Sequence, residues 1–463
     1  MQRFVLWFFL LLPCASCVAS EHVCLSPLER DSLPAWHLRE TDVSALDGLL
    51  VLPTTWSLVQ GYLSCHDFSD ASMQRVLAML EREAKRHTLS LSCVYRSVSP
   101  QGDSLWVSGR IYLPRTRCVR GVVLAPHFTI CADRETPSRR VGLEVVFALE
   151  GYVVVVPDYV GYGVSAHLTH PYLHWHSAAT TAVDMLSTVP DLLSHYGYSW
   201  DEGLRIKDER LNSTGDAGVS PAVEKHCTEN SEANLISPSS YVLDPSSKES
   251  PSSREIPLWI VGYSQGAAAA LGAARLLEER EESPWHIAGL YAGGGPYDVA
   301  GTYDVCVAAD STGIPCAIPM LVMGTSEAYM LGLRKQDFFK EPLLSHYEEW
   351  IGEKRYTMNE IKARMGSCRL SDAMTREGMD KTCPETARFY QALQQSSIAG
   401  YAPACPAVFF HSTDDDMVPC MNTLRQQDAC RGVDGIRFDI APYGSHMEAC
   451  LRFYGNVYRA LHG

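Results

Sequence analysis

The distribution of hydrophobic and polar residues predicts alternating strands and helices along most of the chain. Residues 91–98 and 105–113 are typical of a β-hairpin, because a Gln-Gly-Asp turn lies between them. Residues 121–127 and 151–158 are continuous apolar runs rich in valine, as expected of parallel strands covered on both faces. A helix predicted over 139–149 would join them into a strand–helix–strand unit, which indicates an α/β fold.

The same alternation continues to the C-terminus. A helix is predicted over residues 177–195, with a bend at Pro190. The other core elements are a helix at 267–277 and strands at 257–261, 286–291, 407–411 and 436–441. We therefore expect a mostly parallel central sheet covered by helices.

Two segments depart from this alternation. Residues 21–90 form an N-terminal extension with one amphipathic helix, predicted from the helical spacing of Met73, Val76, Leu77, Leu80 and Ala84. Residues 201–255 are rich in serine and proline, and Tyr241 is their single aromatic residue. Such a segment buries too little apolar surface to offset its ordering entropy, so we expect a polar, low-complexity insertion at the surface.

Residues 301–404 are predicted to form a helical cap inserted between two core strands. Aromatic and apolar residues recur through it, among them Tyr329, Met330, Phe338, Phe339, Trp350 and Tyr390. The core then comprises residues 91–300 and 405–463. A cap in this position would cover the carboxyl ends of the strands, where ligands bind in open α/β sheets.

Composition narrows the functional classes. The chain has 463 residues, of which 46% are hydrophobic, so a large core is expected. The formal net charge of -15 argues against a nucleic-acid partner. Composition does not indicate an oligomeric state.

Residues 1–20 predict an export signal. Arg3 precedes an apolar run that is too short to span a bilayer, and small residues follow. Val18-Ala19-Ser20 resembles a signal-peptidase site, whereas Ala15-Ser16-Cys17 resembles a lipoprotein box in which Cys17 would be acylated. The protein is therefore expected to be secreted, periplasmic or tethered to a membrane as a lipoprotein.

Cysteine and histidine usage indicates disulfides rather than a metal site. Of the 16 cysteines, all but Cys14 and Cys17 follow residue 20. An even number in an exported chain suggests disulfides, whose connectivity stays open. No C-x-x-C pair occurs among these later cysteines. His170, His174 and His176 have no second group of metal ligands at a recognisable spacing, so we expect no metal site.

The motif with the clearest chemistry is Gly262-Tyr263-Ser264-Gln265-Gly266, between a predicted strand and a predicted helix. It matches the G-x-S-x-G nucleophile elbow, in which glycines let strand and helix approach closely and the serine projects its hydroxyl above the sheet. Taken alone, the motif also fits a tight turn packed by small residues. The glycines at 293–295 do not indicate a phosphate loop, because no Lys-Ser/Thr follows them.

Partners for the serine follow later in the chain. Asp414, Asp415 and Asp416 lie in the turn after the strand at 407–411, and Asp415 best fits the pattern H-G-x-x-D-x-x-V-P. Three adjacent acids could instead form a solvated turn or a calcium site. His446 follows the last strand, so the order Ser264, Asp415, His446 is that of α/β-hydrolases.

This set of residues predicts nucleophilic catalysis. His446 would take the proton of the Ser264 hydroxyl, and Asp415 would orient the imidazole. The backbone N–H of Gln265 is one expected oxyanion donor. The second should come from the loop after the strand at 121–127, from Thr129 or Phe128.

The chain resembles exported bacterial lipases and esterases of the α/β-hydrolase superfamily, and it is similar to the secretory lipases of fungi. The resemblance is carried by residues 157–163, 170–174, 262–266, 295–298, 411–419 and 444–446. It implies an α/β-hydrolase fold and hydrolysis of small-molecule or lipid esters without a cofactor. It also implies a cap that shapes the acyl pocket, with Asp158 and Tyr159 as structural neighbours of the site. Ala267 stands where a second glycine is common in this group, and Ser412 where the acid loop usually has glycine.

Three other functions use the same residues or the same fold. A serine exopeptidase shares the triad but usually adds a propeller, and no blade repeat is visible here. A carbohydrate acetyl or feruloyl esterase would need the same three residues. A noncatalytic binding protein of this fold would typically have lost the serine or the histidine, and both are present.

Overall fold

The computed structural model describes residues 35–44, 86–116, 119–196, 198–199, 205–206 and 255–462. The export signal predicted at 1–20, with Cys17, and the helix predicted around 73–84 lie outside the described residues. So does the insertion predicted at 201–255, apart from residues 205, 206 and 255. In the described part of the chain, no helix is long and apolar enough to cross a bilayer.

The central element is a sheet to which the described residues contribute nine strands. Its strands in chain order are β1 Ala35–Ser44, β2 His87–Val98, β3 Ser104–Leu113, β4 Gly121–Leu124, β5 Tyr152–Pro157, β8 Ile256–Tyr263, β9 Trp285–Gly293, β10 Ala407–Ser412 and β11 Ile436–Ala441. Two further short strands, β6 Tyr198–Ser199 and β7 Arg205–Ile206, pair separately.

Strand order places the parallel strands together. The order is β1-β2-β3-β5-β4-β8-β9-β10-β11. The pairs from β5 to β11 are parallel, whereas β1, β2 and β3 run antiparallel to their neighbours. The predicted mostly parallel sheet is therefore confirmed. Strand β1 comes from the predicted N-terminal extension and was not anticipated as a strand.

Helices surround the sheet. In chain order they are α1 Val145–Leu149, α2 Trp175–His195, α3 Gln265–Glu278, α4 Val299–Ala309, α5 Ala317–Ala328, α6 Lys335–Phe338, α7 Leu343–Tyr347, α8 Met358–Met365, α9 Leu370–Ala373, α10 Arg376–Met379, α11 Pro384–Gln395, α12 Met421–Ala429 and α13 His446–His462. Single turns of 3₁₀-helix lie at Asp133–Glu135 and Gly163–Ser165, and a π-helical turn lies at Glu348–Gly352.

Each face of the sheet has its own hydrophobic core. Helices α2 and α3 cover one face, where the alanine-rich α3 packs Ala267, Ala270 and Leu271 against β-strand residues such as Ile260. Helices α1 and α13 cover the other face through Phe147 and Phe453. The small side chains of α3 let that helix lie close to strand β8.

Two predicted elements are shorter in the structure. Strand β4 ends at Leu124, because the chain then leaves the sheet toward the start of α3. The helix predicted at 139–149 forms only as α1, Val145–Leu149. The preceding residues are held in turns instead: Ser138 donates its backbone N–H to Asp158, and its carbonyl accepts from the Arg110 guanidinium.

The helices from α4 to α11, residues 299–395, form a segment with a third hydrophobic core of its own. We call this stretch the helical segment. One contact that joins it to the rest of the protein is made by Lys354, whose ammonium group donates to the carbonyls of Ala166 and Leu168 at 2.8 and 2.6 Å. Burial lowers the pKa of Lys354 to about 8.

Candidate active site

Ser264 lies at the carboxyl end of β8, on the sharp turn into α3. Its backbone has φ 57° and ψ -127°, a conformation that costs roughly 1–3 kcal/mol for a residue other than glycine. Its N–H donates to the carbonyl of Gly293 at 2.8 Å. Within the described part of the chain its hydroxyl makes no hydrogen bond. The strained turn therefore presents an unengaged hydroxyl at the edge of the sheet.

The glycines of the motif have a steric role. A Cβ atom on Gly266 would lie 2.1 Å from the Pro126 carbonyl oxygen, and one on Gly262 would lie 2.1 Å from the Gly266 carbonyl oxygen. Both contacts are with backbone, which cannot move aside as a flexible side chain would. The spacing of the motif is thus required by close packing between β8, α3 and the loop after β4.

The structure brings Asp415 and His446 together. The Asp415 carboxylate lies 2.6 Å from Nδ1 of His446, and both side chains are almost fully buried. Its other oxygen accepts from the backbone N–H groups of Met417 and Val418 at 2.9 and 2.7 Å. Since Nδ1 donates to Asp415, Nε2 of His446 is left as the basic nitrogen.

Electrostatics favour the charged form of Asp415. Burial alone would raise the pKa of this carboxyl, but the adjacent imidazoles of His411 and His446, with the N–H of Val418, outweigh burial and hold the pKa well below its usual range. His411 supports the carboxylate from a distance of 3.5 Å. The carboxylate is therefore held ionised beside the imidazole.

The neighbouring acids have other positions. Asp414 is exposed. Asp416 accepts the backbone N–H of His446 at 3.0 Å, a contact the sequence does not indicate. Ser412, which stands where glycine is common, donates its hydroxyl to the Gly444 carbonyl and accepts from the Tyr443 N–H. Ser412 and Asp416 thus join the acid loop to the loop that carries His446.

Tyr263 and Gly294 define the position of the imidazole. The Tyr263 hydroxyl donates to the His446 carbonyl at 2.7 Å, and the two rings lie 4.9 Å apart. A Cβ atom on Gly294, which has φ 57°, would lie 3.2 Å from Cε1 of His446. The glycines at 293–295 therefore leave room for the histidine and the tyrosine.

The loop after β4 lies against the nucleophile turn. We call residues 125–131 the oxyanion loop, after the donor that the sequence predicts in it. In the described residues, the backbone N–H groups of Gln265 and Thr129 have no hydrogen-bond acceptor. The Thr129 side chain contacts the Tyr172 hydroxyl at 2.9 Å. Both groups predicted as oxyanion donors are thus available to a ligand atom.

Histidines and tyrosines fix the loops around the turn. His170 contacts the Val160 carbonyl through Nδ1, and its Nε2 accepts from the Gln265 side chain at 2.9 Å. Burial lowers the pKa of His170 to about 3. Tyr159 donates to the carbonyl of His127 at 2.9 Å. These contacts were not predicted individually, although Tyr159 was expected to be a structural neighbour of the site.

Two cavities adjoin the site. A narrow one of about 40 Å³ is lined by Ser264 together with apolar residues of the helical segment, such as Ile318 and Leu321. A larger one of about 250 Å³ is mostly apolar and is lined by Phe128, Thr129 and Met447 among others. In the described part of the chain, no group of His, Cys, Asp or Glu residues is placed to hold a metal ion.

Solved structures of other proteins share this architecture. A candidate hydrolase from Legionella pneumophila is 17% identical with a TM-score of 0.62, over 85% of this chain and 95% of that one. LipA, a rice cell wall degrading esterase from Xanthomonas oryzae, is 18% identical with a TM-score of 0.58, over 85% and 94% of the two chains. Candida antarctica lipase A in its closed state is 13% identical with a TM-score of 0.53, over 81% and 78%.

Comparison of the sequence with known proteins does not assign the chain to a family. No protein-family model matches the chain, and no curated protein matches it. At these low identities the solved structures establish architecture rather than activity. With its mostly parallel sheet, flanking helices and serine turn after β8, the chain has the α/β-hydrolase fold.

Proposed function

We propose that the protein is a serine carboxylic ester hydrolase, an esterase or lipase, that acts through an acyl-enzyme on Ser264. The observation that carries this proposal is the 2.6 Å contact between Asp415 and His446 at the same edge of the sheet as Ser264. A buried carboxylate that orients an imidazole beside a strained serine is the arrangement used for acyl transfer.

The first step is attack by the serine on the ester carbonyl. Nε2 of His446 takes the Ser264 hydroxyl proton as the oxygen attacks, and Asp415 stabilises the resulting imidazolium. Catalytic hydrogen bonds often tighten only when substrate is bound, which agrees with the unengaged Ser264 hydroxyl.

The tetrahedral intermediate needs donors for its oxyanion. The free N–H groups of Gln265 and Thr129 would supply them, and one such donor contributes roughly a hundredfold to a thousandfold in rate. His446 then returns the proton to the departing alkoxide. Water, activated by the same imidazole, hydrolyses the acyl-enzyme and restores Ser264.

The cavities favour an apolar substrate. The helical segment would act as a cap, because its residues Ile318 and Leu321 form part of the wall beside Ser264. The acyl chain would occupy this side. The cavity next to Phe128 and Met447 has the space for the other part of the ester.

Hydrolysis of p-nitrophenyl esters from acetyl to palmitoyl tests this function, with protein that lacks residues 1–20. Ser264→Ala should lower turnover by about 10⁴-fold or more, because the triad acts as a unit. Ser367→Ala, a serine of the helical segment, serves as the control and should keep full activity. A folded wild-type protein without turnover on any ester would refute the proposal, and cleavage of peptide substrates instead would point to the exopeptidase.

We further propose that residues 1–20 direct export and that the mature protein is either released or tethered through an acylated Cys17. The proposal rests on the apolar run and the two cleavage patterns in this stretch. The mass of the mature N-terminal peptide distinguishes the routes. A diacylglyceryl adduct on Cys17 indicates a tether, a start at residue 21 indicates release, and an intact Met1 excludes both.

A further inference from the structure

Two buried thiols meet where the oxyanion loop contacts the helical segment. The Sγ atoms of Cys131 and Cys316 lie 3.3 Å apart, although the residues are 185 positions apart in the chain. The side chain of Met320 packs against the same spot, with its sulfur 3.8 Å from Cys131 Sγ. Cys131 and Cys316 are both buried, at 3% and 0% exposure.

Both residues adjoin the candidate active site. Cys131 follows Thr129 by two residues in the oxyanion loop. Cys316 immediately precedes α5, whose residues Ala317, Ile318 and Leu321 line the cavity at Ser264. A bond between the two sulfurs would therefore join the loop that carries Thr129 to a helix that lines the cavity at Ser264.

We propose that Cys131 and Cys316 form a disulfide that fixes the oxyanion loop to helix α5. Closing the contact to an S–S bond of about 2.05 Å takes a movement of roughly 1 Å, which side-chain rotation can supply. The two thiols lose two protons and two electrons. A disulfide donor, such as oxidised glutathione or a protein disulfide of the oxidising compartment, accepts them and becomes two thiols.

Burial determines when this bond forms. The contact with Cys316 and burial both raise the pKa of Cys131, which disfavours the reactive thiolate in the folded protein. Thiol–disulfide exchange with a bulky disulfide also requires access to the two sulfurs, and the packed contact between the oxyanion loop and the helical segment prevents it. The disulfide therefore forms during folding, before the helical segment packs on the loop, and afterwards it resists reduction without unfolding.

Peptide mapping tests the bond directly. The full chain is produced in an oxidising compartment or refolded with reduced and oxidised glutathione, then unfolded in iodoacetamide and digested. The expected result is one peptide pair joined through Cys131 and Cys316 that separates after dithiothreitol treatment. Recovery of both residues as alkylated thiols, or of either one linked to another cysteine, overturns the proposal.

A thermal measurement gives a second test that does not depend on ester hydrolysis. Prior reduction in denaturant, followed by refolding under dithiothreitol, should lower the melting temperature of the wild type by about 5 °C or more, because a closed loop this long restricts the unfolded chain. Cys383→Ser, at a half-buried cysteine outside this contact, should show the same decrease. The double variant Cys131→Ser/Cys316→Ser should lose this part of the reductant effect, so that reduction lowers its melting temperature by about 5 °C less than it lowers that of the wild type. A reductant effect of the same size in the double variant and the wild type refutes the assignment.

Discussion

At the scale of single residues, the site depends on which acid contacts the histidine. Three aspartates are adjacent, yet they have three different environments: Asp415 is buried against His446, Asp416 bonds the backbone N–H of His446, and Asp414 is exposed. Sequence spacing selected Asp415, and the structure places its carboxylate against His446; its catalytic role stays a prediction.

Substitution of each acid by asparagine separates these environments. Asp415→Asn should lower kcat by about 10⁴-fold, because the amide disfavours the required tautomer and cannot stabilise the imidazolium. Asp416→Asn keeps an acceptor for the His446 N–H and should retain most activity, and Asp414→Asn should match the wild type. Steady-state ester hydrolysis measures all three. If Asp414→Asn or Asp416→Asn were the most damaging change, the assignment of Asp415 would be wrong.

Buried histidines make stability depend on pH. Burial lowers the pKa of His127 to about 4 and that of His170 to about 3, against about 6.5 in an unfolded chain. Between these values the unfolded chain binds more protons than the folded protein, so stability falls as pH is lowered. At pH 5 each histidine contributes a loss of about 2 kcal/mol relative to pH 7.

The variant His170→Asn isolates one of these contributions. Its melting temperature should decrease less between pH 7 and pH 5 than that of the wild type, measured by thermal denaturation at both values. Groups common to both proteins cancel in this comparison. One of them is Glu144, whose pKa is raised by burial to about 7. Because this pKa is raised, Glu144 makes the folded protein more stable as pH is lowered, which is the opposite of the histidine effect. Equal decreases in the two proteins would mean that His170 does not remain neutral in the folded state.

At the scale of elements, the turn between β8 and α3 shows what local sequence can predict. A strand pattern, a glycine-spaced serine and an alanine-rich helix lie within about twenty residues, so local pattern was sufficient to locate Ser264. Strand β1 was missed because its pairing with β2 joins distant parts of the chain. Strand β4 was predicted too long, because the contact of Pro126 with Gly266 that takes the loop away from the sheet is likewise nonlocal.

The close packing of this turn can be tested at Gly266. Gly266→Ala should abolish ester hydrolysis and lower the melting temperature by several degrees, because its Cβ would meet the Pro126 carbonyl oxygen at 2.1 Å. The matched control is Gly455→Ala in α13, where a Cβ meets no atom within 4 Å. That control should melt at or slightly above the wild-type temperature. An active, stable Gly266→Ala protein would show that the turn tolerates a wider spacing.

At the scale of the whole molecule, the sheet assembles residues that are far apart in the chain. Ser264, Asp415 and His446 follow β8, β10 and β11, so the parallel arrangement brings their side chains to one edge. Chain order predicted this assembly. The volumes of the cavities could not be predicted, because they depend on how the helical segment packs against the oxyanion loop.

Deletion of residues 205–250 tests whether the core is independent of the polar insertion. Helix α2 precedes this stretch and strand β8 follows it, and both make their contacts within the core, so the deletion variant should fold with a melting temperature within about 2 °C of the wild type. It should also keep its rate of ester hydrolysis. Circular dichroism melts and the ester assay measure both properties. A large decrease in either would give the insertion a role in folding or catalysis.

The narrow cavity at Ser264 has a consequence for how substrate affinity would respond to mutation. Its 40 Å³ holds a few water molecules, far less than the roughly 300 Å³ or more of a typical ligand pocket. On the proposed function, a substrate larger than this cavity would need the helical segment to move, and its apparent dissociation constant would then be the intrinsic constant divided by the open fraction. Removal of the Lys354 ammonium group would then raise the open fraction. Such a variant would bind substrate more tightly while it melts at a lower temperature.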